Sequence, residues 1–537
     1  MTKPAPIARV VALTSAAVLV STLAGCAAPG SGPATRGAFV LDGEVSEWRD
    51  SAVATADDRY VYLRFQMEGD PVTLQNNAET TRIAIDADNN PETGLLLRGP
   101  DGVGTLGIDL DVRLSPHIDT IAAESANRIR GRASERGEPA PRLTGGVSAT
   151  RYSADGSPRV VSHADIDFAL APTYAPASET DWVEARIGRL SSALLGSGLD
   201  AEGAAKSIVL LEDADRTIVG YADPVEIALP RAARDLGLAA QRVPAQQPGT
   251  IRVLSFNVLF AKPAREPEAF ARVITSLAPD VILFQEFGGL DGDALADWLD
   301  EHVGPLEGKP MPQTDGTESG GGFWHAVANS EQGVAVASAH PIARPFADPV
   351  TLEGPDGAER TARAVSALLD TPFGDVLATS VHLKCCGAAG SREDQIRMLE
   401  ADAINAAVRD IAQQTAAITG RWPAVRVIGG DINLVGTRPP LDALADGLDA
   451  DGTDLTIAEV PVLGDRAFYT WSDPNSAFSP GRLDWILYSD ESVRLDEAFV
   501  LDLGRLTRES VAAAGLVPSD TAASDHLPVV VDLRPQN

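Results

Sequence analysis

Eight acidic, amide and imidazole side chains lie within or beside short apolar segments in the second half of the chain: Asn257, Glu286, His382, Asp431, Asn433, Asp484, Asp525 and His526. Such segments predict buried β-strands, and loops at strand ends are where a rigid sheet projects functional side chains. We therefore expect the eight to converge on one site. Carboxylate and amide oxygens bind Mg²⁺ and imidazoles transfer protons, so the chemistry indicated is hydrolysis of a phosphate ester at a divalent metal ion.

Three of the eight are predicted metal ligands. Glu286 is a hard carboxylate suited to Mg²⁺ or Mn²⁺, and Asn257 is a neutral oxygen donor beside it. Asp525 is a candidate third ligand. The adjacent His526 is the predicted general base, held in one tautomer by Asp484.

The remaining three complete the predicted proton and phosphate chemistry. His382 is expected to hold the phosphate or to protonate the leaving group. Asp431 and Asn433 are two residues apart, so in extended backbone both would face the same side. One would handle water or a proton while the other donates its amide to a phosphoryl oxygen. An isolated Asp-Ile-Asn is usually a turn, but the joint order of all eight residues favours the catalytic interpretation.

The order of these motifs resembles the endonuclease/exonuclease/phosphatase superfamily, the fold of pancreatic-type deoxyribonuclease. The motifs are Ser-Phe-Asn257, Gln-Glu286, Val-His382-Leu, Gly-Asp431-Ile-Asn433, Arg-Leu-Asp484-Trp-Ile-Leu and Ser-Asp525-His526-Leu-Pro. Secondary landmarks are Arg363, ahead of Val365, and Tyr469-Thr470-Trp471. The resemblance spans 251–533. It implies an α/β four-layer sandwich, two packed mixed β-sheets flanked by helices, with the site at one edge.

Alternating strand and helix patterns in 251–537, the predicted catalytic domain, favour the same α/β class. The clearest helix is predicted to begin after an N-cap at Ser391, with Glu393 and Asp394 in its first turn. Its apolar stripe is predicted to comprise Ile396, Leu399, Ala403, Ile404, Ala407, Val408 and Ile411.

Short β-like segments separated by turns predict a β-sandwich over 39–239, followed by a linker at 240–250. The predicted strands include 53–56, 60–65, 81–85, 107–114 and 207–211. The segments 42–48, 60–63 and 85–90 resemble family-9 carbohydrate-binding modules and DOMON-like sandwiches, which implies envelope polysaccharide as a partner. Trp48 is predicted to belong to the core rather than to a sugar-binding surface.

Asp86, Asp88 and Asn90 present oxygen ligands at every second position, as a calcium loop does. Pro91 stands where an EF-hand carries glycine, so an EF-hand is excluded. Ca²⁺ binding and a plain Asx-rich turn remain as alternatives.

The N-terminus predicts a lipoprotein signal at 1–25 and a flexible tether at 26–38. Lys3 and Arg9 precede the apolar segment 10–20, and Leu23-Ala24-Gly25-Cys26 resembles a bacterial lipobox. The resemblance implies acylation of Cys26 and a lipid-anchored protein of the bacterial cell envelope that faces the periplasm or exterior. An ordinary secretory signal is the alternative.

The other two cysteines, Cys385 and Cys386, are adjacent. Neighbouring Cα atoms lie about 3.8 Å apart, whereas a disulfide prefers about 4.4–6.8 Å, so a disulfide here would be strained. Two free or packed thiols are favoured over a vicinal disulfide.

The net charge and the aromatic content of the chain help to distinguish between classes of substrate. The net charge of -32 opposes polyanion binding unless basic side chains cluster locally. Seven basic residues near the motifs could form such a rim: Arg360, Arg363, Lys384, Arg392, Arg397, Arg438 and Arg482. With 5% aromatic residues, no aromatic membrane hairpin is evident. The leading hypothesis is a monomeric nuclease; the alternatives are a lipid or small-molecule phosphoesterase and a degenerate binding protein.

Overall fold

The computed structural model describes residues 39–43, 48, 53–66, 79–99, 104–115, 146–163, 166–172, 178–191, 194–213, 215–233, 238–309, 322–387, 389–435, 437–473, 476 and 478–536. The predicted signal, Cys26 and the tether lie outside them. The chain divides into two compact units: a first unit of Met1–Gly237 and Asp473–Pro480, and a second unit of Leu238–Ser472 and Gly481–Asn537.

The described part of the first unit is built from thirteen strands: β1 (Ala54–Ala56), β2 (Tyr60–Gln66), β3 (Thr80–Asp86), β4 (Leu95–Arg98), β5 (Thr105–Ile108), β6 (Leu110–Ser115), β7 (Gly146–Tyr152), β8 (Pro158–Val161), β9 (Ile166–Pro172), β10 (Ser178–Gly188), β11 (Gly203–Glu212), β12 (Ile218–Tyr221) and β13 (Val225–Leu229). One sheet has the order β1-β2-β10-β9. A larger one has the order β12-β11-β3-β6-β7-β8, with β13 also paired to β11. Apolar side chains from both sheets, including Val61 and Ile83, enter one buried cluster.

Two predictions for this unit can be compared directly with the structure. The segment 107–114, expected as one strand, is divided between β5 and β6. Asp109 interrupts it, because its carboxylate accepts the Ala87 N–H and its own N–H donates to Ile85. Trp48 is 7% exposed and donates its indole N–H to Glu184, which fits the predicted core position. The Arg64 guanidinium lies over both Trp48 and Trp182.

The second unit contains the remaining strands: β14 (Ile251–Asn257), β15 (Val281–Gln285), β16 (His325–Asn329), β17 (Val334–Ser338), β18 (Ile342–Phe346), β19 (Val350–Glu353), β20 (Glu359–Ala362), β21 (Ala364–Thr371), β22 (Gly374–His382), β23 (Val425–Asp431), β24 (Thr456–Ile457), β25 (Asp484–Tyr488), β26 (Val493–Val500) and β27 (Val529–Pro535). Its α-helices are α1 (Pro267–Leu277), α2 (Gly292–His302), α3 (Arg392–Thr419), α4 (Pro439–Ala445) and α5 (Arg508–Ala513). Short 3₁₀ helices occupy Lys262–Ala264, Leu503–Arg505 and Thr521–Ala523.

Two six-stranded sheets form the body of this unit, with the orders β16-β17-β15-β14-β27-β26 and β18-β21-β22-β23-β25-β24. They approach closely between β15 and β22. Gln285 donates to the Ser380 hydroxyl at 3.0 Å, and that hydroxyl donates to the Phe284 carbonyl at 2.8 Å. A Cβ added to Gly429 would lie 2.8 Å from a Leu283 methyl, so a larger residue here would require the Leu283 side chain to move. Within the described residues, no helix is long and apolar enough to cross a membrane.

Helix α3 follows the predicted N-cap, because the Ser391 hydroxyl accepts the Asp394 N–H. Its buried face differs in part from the predicted stripe. Ile396, Ile404 and Val408 are buried, but Ala401 and Ala412 join them while Ala403 and Ala407 are only half-buried. The segment 240–250, predicted as a linker, lies within the second unit, where the Arg252 guanidinium donates to the Pro244 carbonyl.

Candidate active site

The predicted site residues lie at one end of the two large sheets of the second unit. Asn257 ends β14 and Glu286 follows its parallel neighbour β15, while His382 ends β22 and Asp431 ends the parallel strand β23. His382 and Asp431 are register partners, as are Asp431 and the first residue of β25, Asp484. Parallel pairing therefore brings residues far apart in sequence to a common edge.

Asp431 is the centre of this arrangement. Its Oδ2 accepts the Asn257 amide at 3.1 Å and lies 3.3 Å from His382 Nε2 and 3.7 Å from His526 Nε2. Burial raises the pKa of the Asp431 carboxyl, since water is excluded from it; the charge of His526 opposes that shift, and Asp484 adds to it. The buried Asp431 carboxylate thus lies next to both histidines and to the Asn257 amide.

His526 is held by Asp484, as predicted. His526 Nδ1 lies 2.8 Å from Asp484 Oδ2, and that oxygen also accepts the Thr470 hydroxyl at 2.7 Å. Burial lowers the pKa of His526, but Asp484 and Asp431 outweigh that effect and raise it to about 10. Thr470 belongs to the Tyr-Thr-Trp landmark, yet its type alone gave no sign that it fixes the orienting carboxylate.

His382 has the opposite kind of partner. Arg363 Nη1 lies 2.9 Å from His382 Nδ1, and Nη2 donates to the Leu383 carbonyl at 2.7 Å. A guanidinium can only donate, so Nδ1 must accept and the ring proton must lie on Nε2, which faces Asp431. Burial lowers the pKa of His382 well below its usual value, and the charge of Arg363 lowers it further. His382 is therefore a neutral hydrogen-bond donor.

Asn257 and Glu286 lie together, as predicted for metal ligands. The Asn257 amide nitrogen is 3.4 Å from Glu286 Oε1, and its oxygen accepts the Leu259 N–H at 3.1 Å. Because the nitrogen faces the carboxylates, Asn257 would offer its oxygen to a cation only after the amide turns over. Two carboxylates, those of Glu286 and Asp431, converge on this amide, and such a hard oxygen set fits a divalent cation.

Asp525 lies beside this set. Its Oδ2 accepts the Trp471 indole N–H at 3.1 Å, whereas its Oδ1 is buried without a hydrogen-bond partner. The neighbouring Ser524 hydroxyl donates to the Asn257 carbonyl at 2.8 Å, which ties this loop to the end of β14. An orphaned buried carboxylate oxygen is the kind of atom that a cation or an ordered water satisfies.

The expectation of extended backbone from Asp431 to Asn433 is wrong. Asn433 is left-handed, with φ 51°, and its N–H donates to Asp431 Oδ1, so the segment turns at the end of β23. The Asn433 amide donates to the Leu383 carbonyl at 3.2 Å. The backbone explains why position 430, directly before Asp431, is a glycine. Its φ is 150°, and a Cβ there would lie 1.9 Å from the Val381 carbonyl oxygen.

Left-handed backbone is concentrated at this site. Among the non-glycine residues described, Leu259, Phe260, Ala261, Glu286 and Asn433 all have φ between 51° and 57°. The Phe260 N–H donates to Glu286 Oε2 at 2.9 Å, and the Ala261 N–H donates to the Glu286 carbonyl at 2.8 Å. Strained conformations of this kind persist where surrounding contacts hold them, and they cluster at functional sites. Phe260 itself is 56% exposed beside Glu286.

Most of the seven basic residues expected to form a rim have acidic partners. The pairs are Arg360–Asp356, Arg392–Asp356, Arg397–Asp394, Arg438–Asp442 and Arg482–Glu459. Arg363 instead binds the neutral acceptors of His382 and Leu383, and Lys384 lies 3.8 Å from a thiol. The cationic surface is therefore smaller than the sequence suggested.

The candidate calcium loop of the first unit has a member that the sequence did not indicate. Carboxylate oxygens of Asp86, Asp88 and Asp109 lie within 4.8 Å of one another. Asn90 uses its backbone N–H to donate to Asp86 and Asp88, and its side-chain oxygen accepts the Glu92 N–H. These hydrogen bonds are those of an Asx-rich turn, and calcium binding stays a prediction.

Comparison with known proteins agrees with the chemistry of this edge, which is that of phosphoric ester hydrolysis. The family model described as the Endonuclease/Exonuclease/phosphatase family matches residues 254–526, slightly more than half of the chain. The chain belongs to this family and is a metal-dependent phosphoric ester hydrolase. The predicted resemblance is thereby confirmed for the second unit, whereas those for the N-terminal signal and the first unit remain predictions.

Several solved structures are similar to part of the chain. The human Nocturnin catalytic domain with bound sulfate is 16% identical, covering 54% of this chain and 97% of that one, with a TM-score of 0.32. A beta toxin from Staphylococcus aureus is 17% identical, covering 52% and 99%, with a TM-score of 0.31. Sphingomyelinase C from Streptomyces griseocarneus is 18% identical, covering 53% and 99%, with a TM-score of 0.29. No curated protein matches the sequence.

Proposed function

We propose that the protein is an envelope-anchored phosphodiesterase, dependent on Mg²⁺ or Mn²⁺, that hydrolyses nucleic-acid phosphodiester bonds. The observation that carries the hydrolytic part is the convergence of Glu286, His382, Asp431 and His526 around Asn257. Two carboxylates beside two imidazoles would provide both cation binding and proton transfer in one largely buried cluster.

Glu286, with Asn257 after its amide turns over, would hold the metal, and the orphaned oxygen of Asp525 is a further candidate ligand. When bound, the ion would neutralise phosphoryl charge and lower the pKa of a coordinated water. Asp431 Oδ2 faces the same amide, so it would share the cation or manage a water proton beside it.

The two histidines would have different roles, one in binding the phosphoryl group and the other in proton transfer. His382 presents its Nε2 proton toward the centre of the site, so it would donate a hydrogen bond to a phosphoryl oxygen. In the metal-bound site His526, which is oriented by Asp484 with Nε2 toward Asp431, would take a proton from the attacking water. The general-base role that the sequence predicted for His526 stays a prediction.

Nucleic acid is favoured as the substrate by one aromatic side chain and two cations. Phe260 is exposed beside Glu286, and base–aromatic stacking contributes about 1–3 kcal/mol. Arg363 and Lys384 lie in or next to the loop that follows β22 and add positive charge on the His382 side. We expect Phe260→Ala to weaken binding of single-stranded DNA severalfold, while Ile418→Ala, at an exposed apolar residue of α3, leaves it unchanged.

A lipid or small-molecule phosphoesterase is the second candidate. It is favoured by the ion pairs that neutralise Arg438 and Arg482, and by the net charge of -32. Both features reduce attraction for a long polyanion without affecting a small phosphate ester.

A substrate panel tests the proposal. DNA, RNA, sphingomyelin and phosphomonoesters would be incubated with Mg²⁺, with Mn²⁺ and with EDTA. We expect cleavage of DNA or RNA that EDTA abolishes, and that Glu286→Gln reduces by about 10³-fold, since metal-ion catalysis contributes several kcal/mol. The control Glu301→Gln changes an exposed carboxylate at the end of α2. Turnover of lipid or monoester alone would establish the second candidate, and full activity in EDTA would refute metal dependence.

The architectural and cellular predictions complete the proposal. The second unit would form the four-layer α/β sandwich of the family, and the first a β-sandwich that binds envelope polysaccharide, with Ca²⁺ at Asp86, Asp88 and Asp109. Lipid attached at Cys26 would anchor the chain. Radiolabelled fatty acid should be incorporated into the wild-type protein in bacteria and not into Cys26→Ala; equal labelling would refute the anchor.

A further inference from the structure

Two thiols that the hydrolytic site does not use lie in the loop after His382. Cys385 and Cys386 are free, and the Cys386 thiol donates to Cys385 Sγ at a sulfur–sulfur distance of 3.2 Å. Lys384 Nζ lies 3.8 Å from Cys385 Sγ. Cys386 is exposed and Cys385 is half-buried, so a small solute can reach the pair.

The surroundings give the two sulfurs different states. The hydrogen bond from Cys386 lowers the pKa of the Cys385 thiol to about 5, with the charges of Lys384 and Arg363 contributing and burial opposing. The same contact raises the pKa of Cys386, which keeps its proton. A thiolate is the reactive form of cysteine, and a neighbouring thiol can then resolve the first adduct.

The backbone holds the pair in place. Arg397 Nη1 donates to the carbonyls of Lys384 and Cys386, and the Lys384 N–H donates to Glu400 at 2.6 Å. Cys386 has left-handed backbone, with φ 69°. The two sulfurs need to approach by only about 1.2 Å to reach the 2.05 Å of a disulfide bond.

We propose that Cys385 and Cys386 form a redox-active dithiol site whose oxidant is a low-molecular-weight disulfide. Cys385 thiolate attacks one sulfur of that disulfide, forms a mixed disulfide and releases one small thiolate, which takes up a proton. Cys386 then loses its proton and attacks Cys385 Sγ, which forms the vicinal bond and releases the second small thiol. Two cysteine thiols are oxidised and one small disulfide is reduced to two thiols.

The product would be easily reversed. Adjacent cysteines hold their Cα atoms closer than an unstrained disulfide prefers, and strained, exposed disulfides are the readily reduced ones. The site would therefore respond to the thiol–disulfide balance of its surroundings. This inference does not depend on the proposed hydrolase activity, because it concerns sulfur chemistry alone.

The test uses the full chain and a peptide that trypsin releases from it. Cleavage after Lys384 and Arg392 gives the peptide 385–392, which contains both cysteines and no other. The protein would be equilibrated with oxidised and reduced glutathione, alkylated with N-ethylmaleimide and digested. In oxidised buffer we expect this peptide without alkylation and lighter by two hydrogen atoms. After dithiothreitol it should carry two maleimides.

Single variants test which sulfur attacks. Cys386→Ser keeps a hydroxyl donor beside Cys385, so it should accumulate glutathione on Cys385, at a rate nearly constant between pH 6 and 8. Cys385→Ser should react at least about 10-fold more slowly at pH 6, since an ordinary thiol is mostly protonated there. Two maleimides on the wild-type peptide at every glutathione ratio would overturn the site. Equal rates for the two variants would overturn Cys385 as the nucleophile.

Discussion

His382 and His526 occupy two sides of one carboxylate, but their other ring nitrogens face opposite charges. Both are buried and both direct Nε2 at Asp431 Oδ2. Nδ1 of His382 meets the Arg363 guanidinium, while Nδ1 of His526 meets the Asp484 carboxylate. Burial lowers the pKa of His382 and Arg363 lowers it further, whereas Asp484 and Asp431 outweigh burial and raise the pKa of His526. Two imidazoles beside the same carboxylate thus have pKa values shifted in opposite directions.

Within this comparison of the two histidines, the largest expected effect comes from removing either ring. His382→Ala and His526→Ala should each reduce kcat by about 10² or more, the usual scale of lost acid–base or hydrogen-bonding help. Single-turnover rates on a cleavable phosphodiester measure this, with His302→Ala as an exposed control. Wild-type kcat in either site variant would remove that histidine from the chemistry.

The next effect on kcat is expected from removing the carboxylate that distinguishes the surroundings of His526 from those of His382. Asp484→Asn removes the carboxylate that orients His526 Nδ1, so the ring can adopt the wrong tautomer and kcat should fall by about 10²-fold, in part reproducing His526→Ala. His526→Ala in the Asp484→Asn background should then cost much less than it does alone. Fully multiplicative losses would show that Asp484 acts independently of His526.

Replacing Arg363, the Nδ1 partner of His382, should reduce kcat less than replacing Asp484. Arg363→Met frees His382 Nδ1, and kcat should fall by about 10-fold because the ring can then adopt the wrong tautomer. Arg363→Lys should restore part of the rate. The ¹⁵N shifts of the His382 ring should report a proton on Nε2 in the wild type and a mixture of tautomers in Arg363→Met. Unchanged ring shifts would refute the positioning role.

The last prediction involves no loss of activity. In protein freed of metal with EDTA, the His526 ring should keep its extra proton until about pH 10, because Asp484 and Asp431 outweigh burial. His382 should stay neutral to well below its ordinary pKa of 6.5, because burial and Arg363 both disfavour its cation. Histidine ¹⁵N–¹H spectra across pH 5 to 10 measure both. A common midpoint for the two rings would contradict the comparison.

The sequence was sufficient to predict that these residues meet at strand ends, because strand patterns and residue types are local properties. It could not supply Arg363 as the partner of His382, or Thr470 as that of Asp484, since those contacts join separate strands and loops. The left-handed turn at Asn433 was missed because alternation assumes extended backbone. The sequence did not indicate Asp109 as a member of the acidic cluster, because Asp86 and Asp88 lie on another segment of the first unit.

The close contact at Gly430 has a consequence for how this enzyme can diversify. Because no side chain fits between Gly430 and the Val381 carbonyl, the spacing of β22 and β23, and with it the His382–Asp431 pair, is fixed by the main chain. The sheet backbone thus determines the geometry of the hydrolytic residues. Phe260 and the loop that carries the two cysteines lie outside that constraint. New substrates could be acquired by altering those loops while the hydrolytic step is left intact.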